Sequence, residues 1–144
     1  MKTVRDVMTS NVDCCTPLDN VYEVAVKMKE LDVGAIPIVD NESNTLLGMI
    51  TDRDLVIRGY AEKRSGSNQV TNVMSEDVIT VPPNTSLKEA SGIMAEHQIR
   101  RLPVVDNGQL VGIVSLGDLA VEKMSNESAG YALTEISESE QVHH

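Results

Sequence analysis

Two hydroxyl–carboxylate pairs stand at the same spacing in this 144-residue chain, Thr51-x-x-Asp54 and Ser115-x-x-Asp118. At a helix start such a pair closes a cap, the hydroxyl taking an exposed N–H and the acid sitting in the favourable first turn. Arg100 and Arg101 are adjacent cations. Their planar guanidinium groups match phosphate oxygens, and they equally suit a solvated surface loop. Cys14 and Cys15 are adjacent as well. Neighbouring residues of an extended segment point to opposite faces, so a mutual disulfide would be strained. His97, His143 and His144 do not complete a zinc set at metal spacing. The thiols are therefore expected to be buried or half-buried in a reducing compartment, with no metal. His97 is the only histidine inside the organised part of the chain, so no Ser/His/Asp or Cys/His arrangement emerges. Gly-x-x-x-x-Gly-Lys-Ser/Thr and Gly-x-Gly-x-x-Gly turns are absent too. The sequence predicts a binding protein, not an enzyme.

Composition narrows the partners. Phe and Trp are absent and Tyr occurs three times, which removes the aromatic platforms on which single strands stack. A formal charge of −10 opposes non-specific contact with nucleic acid. Part of that acidity is local, since five glutamates and one lysine lie from Glu122 onward. No stretch approaches the roughly 20 apolar residues of a membrane span, and the opening residues contain no signal-type apolar run. A cytoplasmic protein with no nucleic-acid or membrane partner is expected.

The elements that position these residues follow from an internal repeat. Shifted by 66 residues, Val4-Arg5-Asp6-Val7-Met8-Thr9 falls on Val70-Thr71-Asn72-Val73-Met74-Ser75, and Ile36-Pro37-Ile38-Val39-Asp40 falls on Leu102-Pro103-Val104-Val105-Asp106. A two-residue difference in the next turn brings Gly48-Met49-Ile50-Thr51 onto Gly112-Ile113-Val114-Ser115. In each copy a capping pattern, Asn20-x-x-Glu23 or Ser86-x-x-Glu89, precedes apolar residues at helical spacing. Two β-rich runs follow, Ala35 to Val39 with Leu46 to Ile50, and Leu102 to Val105 with Leu110 to Val114. A second helix begins near Thr51 or Ser115. Two β-α-β-β-α units cannot each bury both faces of a small sheet, but packed together they can. The expectation is one α+β module: repeat 1 over 1–61, a linker over 62–69, repeat 2 over 70–124 and an acidic tail over 125–144. Tyr131, Ala132, Leu133 and Ile136 suggest a short docked helix in that tail.

The strings Ile36-Pro37-Ile38-Val39-Asp40 with Gly48 to Leu55, and Leu102-Pro103-Val104-Val105-Asp106 with Gly112 to Leu119, resemble the CBS domain family. So do the opening Val-Met-Thr and Val-Met-Ser elements. The resemblance implies a CBS pair, or Bateman module, with two clefts related by a pseudo-twofold axis. It implies an adenine-nucleotide or adenosyl ligand (AMP, ADP, ATP or S-adenosylmethionine) and frequent homodimers, with no cofactor required. By that resemblance the ligand is held by Thr51 and Asp54 or by Ser115 and Asp118, the acid on ribose hydroxyls and the hydroxyl on phosphate. A helix N-terminus at each turn adds to the phosphate site. It also places Ile36 and Pro37, and Arg100, Arg101, Leu102 and Pro103, at the clefts. The opening segment crosses to the other copy's acid, Val4, Met8, Thr9 and Ser10 to Asp118, and Val70, Met74, Ser75 and Asp77 to Asp54. Gly34-Ala35 lacks the cations of Arg100-Arg101, and Arg53 either compensates in the first copy or pairs with its neighbours Asp52 and Asp54. Unequal clefts are expected, the better one carrying Arg100, Arg101, Ser115 and Asp118. The function implied is a regulatory ligand-sensing module that acts through its assembly or a partner. The alternative is a homodimerisation module with empty clefts.

Overall fold

The computed structural model describes residues 1–124 of the chain; the tail over 125–144, with the helix suggested there, lies outside the described residues. The repeat is visible in every element. Helix α1 is the single turn Val4–Val7, and its counterpart is a 3-10 turn at Val70–Asn72. Helix α2 spans Val21–Leu31 and α4 spans Leu87–His97. Both end on a left-handed residue, Asp32 at φ 56° and Gln98 at φ 55°. Asn20 and Glu23 exchange both bonds of a capping box. Ser86 accepts from the Glu89 N–H at 3.1 Å, without the reciprocal bond that its spacing suggested.

Strands β1 (Ala35–Val39) and β2 (Leu46–Thr51) form one antiparallel hairpin, and β3 (Arg101–Asp106) and β4 (Gln109–Ser115) form the other. Each hairpin slips register at the same place, between Ile38 and Val39 and between Val104 and Val105. The opening strand of each unit is reduced to one parallel bridge, Cys15 with Ile38 and Val81 with Val104. The β3–β4 turn places Asn107 and Gly108 at φ 54° and 81°, the left-handed pair for which Asn-Gly is suited. The β1–β2 turn is tied by the Asp40 carboxylate, which accepts from the Glu42 and Ser43 N–H groups and the Ser43 hydroxyl. Those bonds hold its carboxyl below the usual range. The two hairpins meet where the Leu46 N–H donates to the Gly108 carbonyl and the Leu110 N–H to the Asn44 carbonyl.

The second helices differ between copies. Helix α3 begins as Asp52–Asp54, widens into a π-helical stretch Leu55–Gly59 and closes as a 3-10 turn Tyr60–Glu62. Helix α5 runs without that irregularity over 116–124.

Two hydrophobic clusters make the core, and each borrows its opening segment from the other copy. Val70, Val73 and Met74 pack among Val24, Met28, Ile36, Ile38 and Ile50 of the first repeat. Val4 packs with Ala90, Met94, Leu102, Val104 and Val114 of the second, and Val7 and Met8 lie against them. Lys2 reinforces the exchange from outside through an ion pair to Glu122 at 2.7 Å. Neither half has a complete core alone, and this interleaving fixes the clefts between them.

Candidate functional site

Where each opening segment leaves the opposite core it bridges to the opposite hairpin. Thr9 exchanges backbone hydrogen bonds with Ile113 at 2.9 and 3.0 Å, and Ser75 does so with Met49 at 2.8 and 2.9 Å. The strands carry glycine at those crossings, Gly112 under Met8 and Thr9 and Gly48 under Met74 and Ser75. Arg58, one helical turn beyond Asp54, pins the second crossing: its Nη1 donates to the Val73 and Met74 carbonyls at 3.2 and 2.7 Å. The chain continues from each crossing to its parallel bridge in its own repeat. Each span therefore roofs a gap between the two hairpins.

The larger gap is a cavity of about 380 Å³. Met49, Thr51 and Asp54 line one wall from the first repeat. Ser75, Asp77, Val78 and Ile79 form the roof, and Ile99, Arg100, Arg101 and Pro103 the far wall. The Thr51 N–H donates to Asp54 Oδ2 at 2.9 Å, and the Asp54 N–H donates to Thr51 Oγ1 at 3.1 Å. The pair is thus a helix cap that also faces the cavity, with Asp54 Oδ1 and the Thr51 hydroxyl proton left for another partner. Among the described residues neither arginine side chain forms an ion pair or a hydrogen bond. Two guanidinium groups and two carboxylates, Asp54 and Asp77, give this cavity its electrostatic character.

The pseudo-symmetric gap is smaller, about 200 Å³. Thr9, Asn11, Val12 and Asp13 form its roof, and Leu31, Val33, Ala35, Pro37, Ile113 and Arg101 line the rest. Ser115 and Asp118 line neither cavity. They bond each other in the same cap, Ser115 N–H to Asp118 Oδ2 at 2.8 Å and Asp118 N–H to Ser115 Oγ at 3.0 Å.

Several sequence expectations change with this geometry. Arg100 and Arg101 share a cavity with Thr51 and Asp54, not with Ser115 and Asp118, because the cavity they line is walled by the first repeat's Met49, Thr51 and Asp54 while the Ser115–Asp118 cap lines neither cavity. Val4 is fully buried in the second core and is a packing residue. Met8 lies against the same core, over Gly112, and Ser10 is exposed and lines neither cavity. Ile36 and Leu102 are fully buried in the cores, leaving Pro37 and Pro103 as the members of those strings that reach a cavity. Ser75 and Asp77 do stand with Asp54, as the crossing implied. Arg53 is exposed and its guanidinium reaches neither cavity. His97 is an exposed last residue of α4.

Met49, Val78 and Ile79 were not singled out from the sequence. Met49 shares a strand face with Thr51, two residues on, and Val78-Ile79 stands 66 residues after Val12-Asp13; both signals were available. The adjacent thiols serve the fold. The Cys15 backbone bonds to Pro37 and Val39, and burial, then Asp19, pushes its thiol up to about 11. Among the described residues no three His, Cys, Asp or Glu side chains gather as a metal set, and no helix there is long and apolar enough to cross a membrane.

The model of the CBS domain family matches this chain twice, over residues 4–59 and 70–125. The chain belongs to the CBS domain family. Uncharacterized protein YlbB of Bacillus subtilis is 51% identical over 138 residues, covering 96% of this chain and 93% of that protein. The CBS domain-containing protein YhcV of the same organism is 53% identical over 137 residues, covering 95% and 96%. Among solved structures, hypoxic response protein I with two coordinated zinc ions superposes with a TM-score of 0.77 at 36% identity, covering 85% of this chain and 99% of that one. CBSX2 in complex with AMP superposes at 0.79 with 29% identity, covering 88% and 99%. The fold, a CBS pair, is also that of the MJ0100 domain pair solved with 5′-methylthioadenosine and S-adenosyl-L-methionine, TM-score 0.76 at 24% identity over 88% of this chain and 98% of that one.

Proposed function

We propose that this CBS pair is a regulatory module that senses an adenine nucleotide or adenosyl metabolite in the larger cavity. The observation that carries the reading is the meeting of Thr51 and Asp54 from one repeat with Arg100 and Arg101 from the other across about 380 Å³. That volume falls in the range of small-molecule sites, whereas about 200 Å³ falls below it. Asp54 Oδ1 accepts ribose hydroxyls, and the unpaired guanidinium groups receive phosphate or carboxylate oxygens. Met49, Val78, Ile79 and Ile99 supply apolar surface for a base. AMP in the CBSX2 complex supports this ligand class.

A ligand bridging the two repeats shifts their packing by its differential affinity for the two arrangements. Assembly is the route by which that shift leaves the chain. Val56, Ile57 and Tyr60 on α3, and Leu116, Val121 and Met124 on α5, are exposed apolar residues on the second helices. They favour a homodimer through the helical face. The same observation supports a second reading, a homodimerisation module whose cavities stay empty. Thermal unfolding with AMP, ADP, ATP or S-adenosylmethionine separates the two. At 100 times its dissociation constant a ligand stabilises by about 2.7 kcal/mol and raises the midpoint. No shift with any of the four leaves the dimerisation reading standing.

A further inference from the structure

We infer that Arg101 is one cationic anchor shared by two cavities, so that the pair of sites holds one anion at a time; this rests on the larger cavity being a nucleotide site. The cavities correspond position by position: Ser75 with Thr9, Asp77 with Asn11, Pro103 with Pro37. Two positions line both, Ala35 and Arg101, and these are each other's counterparts at the 66-residue shift. They therefore stand at the junction of the cavities, and only one of them is charged.

The Arg101 side chain is exposed and free of any ion pair or hydrogen bond among the described residues, so nothing commits it to either side. Arg100 lines the larger cavity alone, and its counterpart Gly34 has no side chain to offer the smaller. A phosphate in the larger cavity draws Arg101 to itself. Among the described residues the smaller cavity then keeps Asp13 as its one charged lining side chain, which repels a second anion. The converse follows by linkage, since an anion held first in the smaller cavity weakens the nucleotide by the same factor. A charge-assisted bond of this kind corresponds to roughly tenfold to a hundredfold in affinity.

Calorimetric titration of the full chain with inorganic pyrophosphate, after saturation with AMP, reads the coupling. AMP-saturated wild type is expected to take up no pyrophosphate. Asn11→Arg, which adds a cation to the exposed roof of the smaller cavity only, is expected to take up one per chain; Ala35→Arg, which restores the missing counterpart of Arg101, does the same by a second route. Pyrophosphate binding to AMP-saturated wild type within about tenfold of its affinity for the free chain, or no gain in either variant, overturns the inference. A chain that takes up none of AMP, ADP, ATP or S-adenosylmethionine fails the nucleotide reading instead. Pyrophosphate alone then decides: one per chain sustains the shared anchor, and two independent sites refute it.

Discussion

Gly48 lies directly beneath the Ser75 carbonyl: a Cβ on Gly48 would stand 2.6 Å from that oxygen and 2.9 Å from Met74 Sδ. The pseudo-symmetric Gly112 meets Met8 and the Thr9 carbonyl, the latter at 2.9 Å. A residue with a side chain at either crossing must push a strand away from the roof of a cavity. Gly48→Ala is expected to cost about 1–3 kcal/mol by overpacking, read as a lower denaturation midpoint. It should also weaken ligand binding, because Ser75 opens the roof of the larger cavity. Stability equal to wild type would show that the crossing has room for a methyl group.

Val4 tests the exchanged core. It is fully buried in the second repeat's cluster although it opens the first. Val4→Ala removes two methyl groups from that cluster and is expected to cost about 2 kcal/mol. Equilibrium denaturation checks this, and an unchanged midpoint would place the residue outside the core. Ligand affinity of the folded variant should match wild type.

Arg100 and Arg101 should separate nucleotide from nucleoside. Either Arg→Ala change is expected to weaken AMP by about tenfold or more, from a lost charge-assisted bond. Adenosine, which carries no phosphate, should bind both variants as it binds wild type. Equal losses for AMP and adenosine would mean that the arginines shape the fold and not the anion site.

Cys15 gives a pH signature. Burial raises its thiol to about 11 from an ordinary value near 9, so the folded state favours the protonated form. Its contribution to stability is complete below about 9 and is lost as pH rises towards 11. Alkylation of the folded protein at pH 8 should accordingly be slow at Cys15 and faster at the less buried Cys14. Peptide mass analysis of iodoacetamide-treated protein reads this, and preferential labelling of Cys15 would contradict its burial.

The scaffold was largely legible because its signals are local and occur twice. Helical spacing after Asn20 and Ser86, the Asn107-Gly108 turn and the Pro-containing strands each specify an element without reference to the rest of the chain. The pairing of walls was not legible in the same way. Ser115-x-x-Asp118 and Thr51-x-x-Asp54 are nearly the same string, yet of the two only the second lines either cavity between the hairpins. The side chain of Arg101 belongs to a strand of one repeat and to a cavity walled by the other, a relation that depends on packing between halves. Val4 misled for the related reason that a crossing segment alternates between core and cleft within a few residues. The π-helical stretch after Asp54 has no counterpart in the regular helix after Asp118, and no residue pattern announced it.

Asp54, not Asp118, is expected to hold the ligand. Calorimetric titration of AMP into wild type, Asp54→Ala and Asp118→Ala tests it most directly. Both substitutions remove the acid of the same kind of capping box, which accepts the N-cap N–H at 2.9 Å for Asp54 and 2.8 Å for Asp118, so the loss of that bond is controlled within the pair. Binding that survives in Asp118→Ala and falls by about tenfold or more in Asp54→Ala is the predicted result. Binding lost in Asp118→Ala and kept in Asp54→Ala would contradict it.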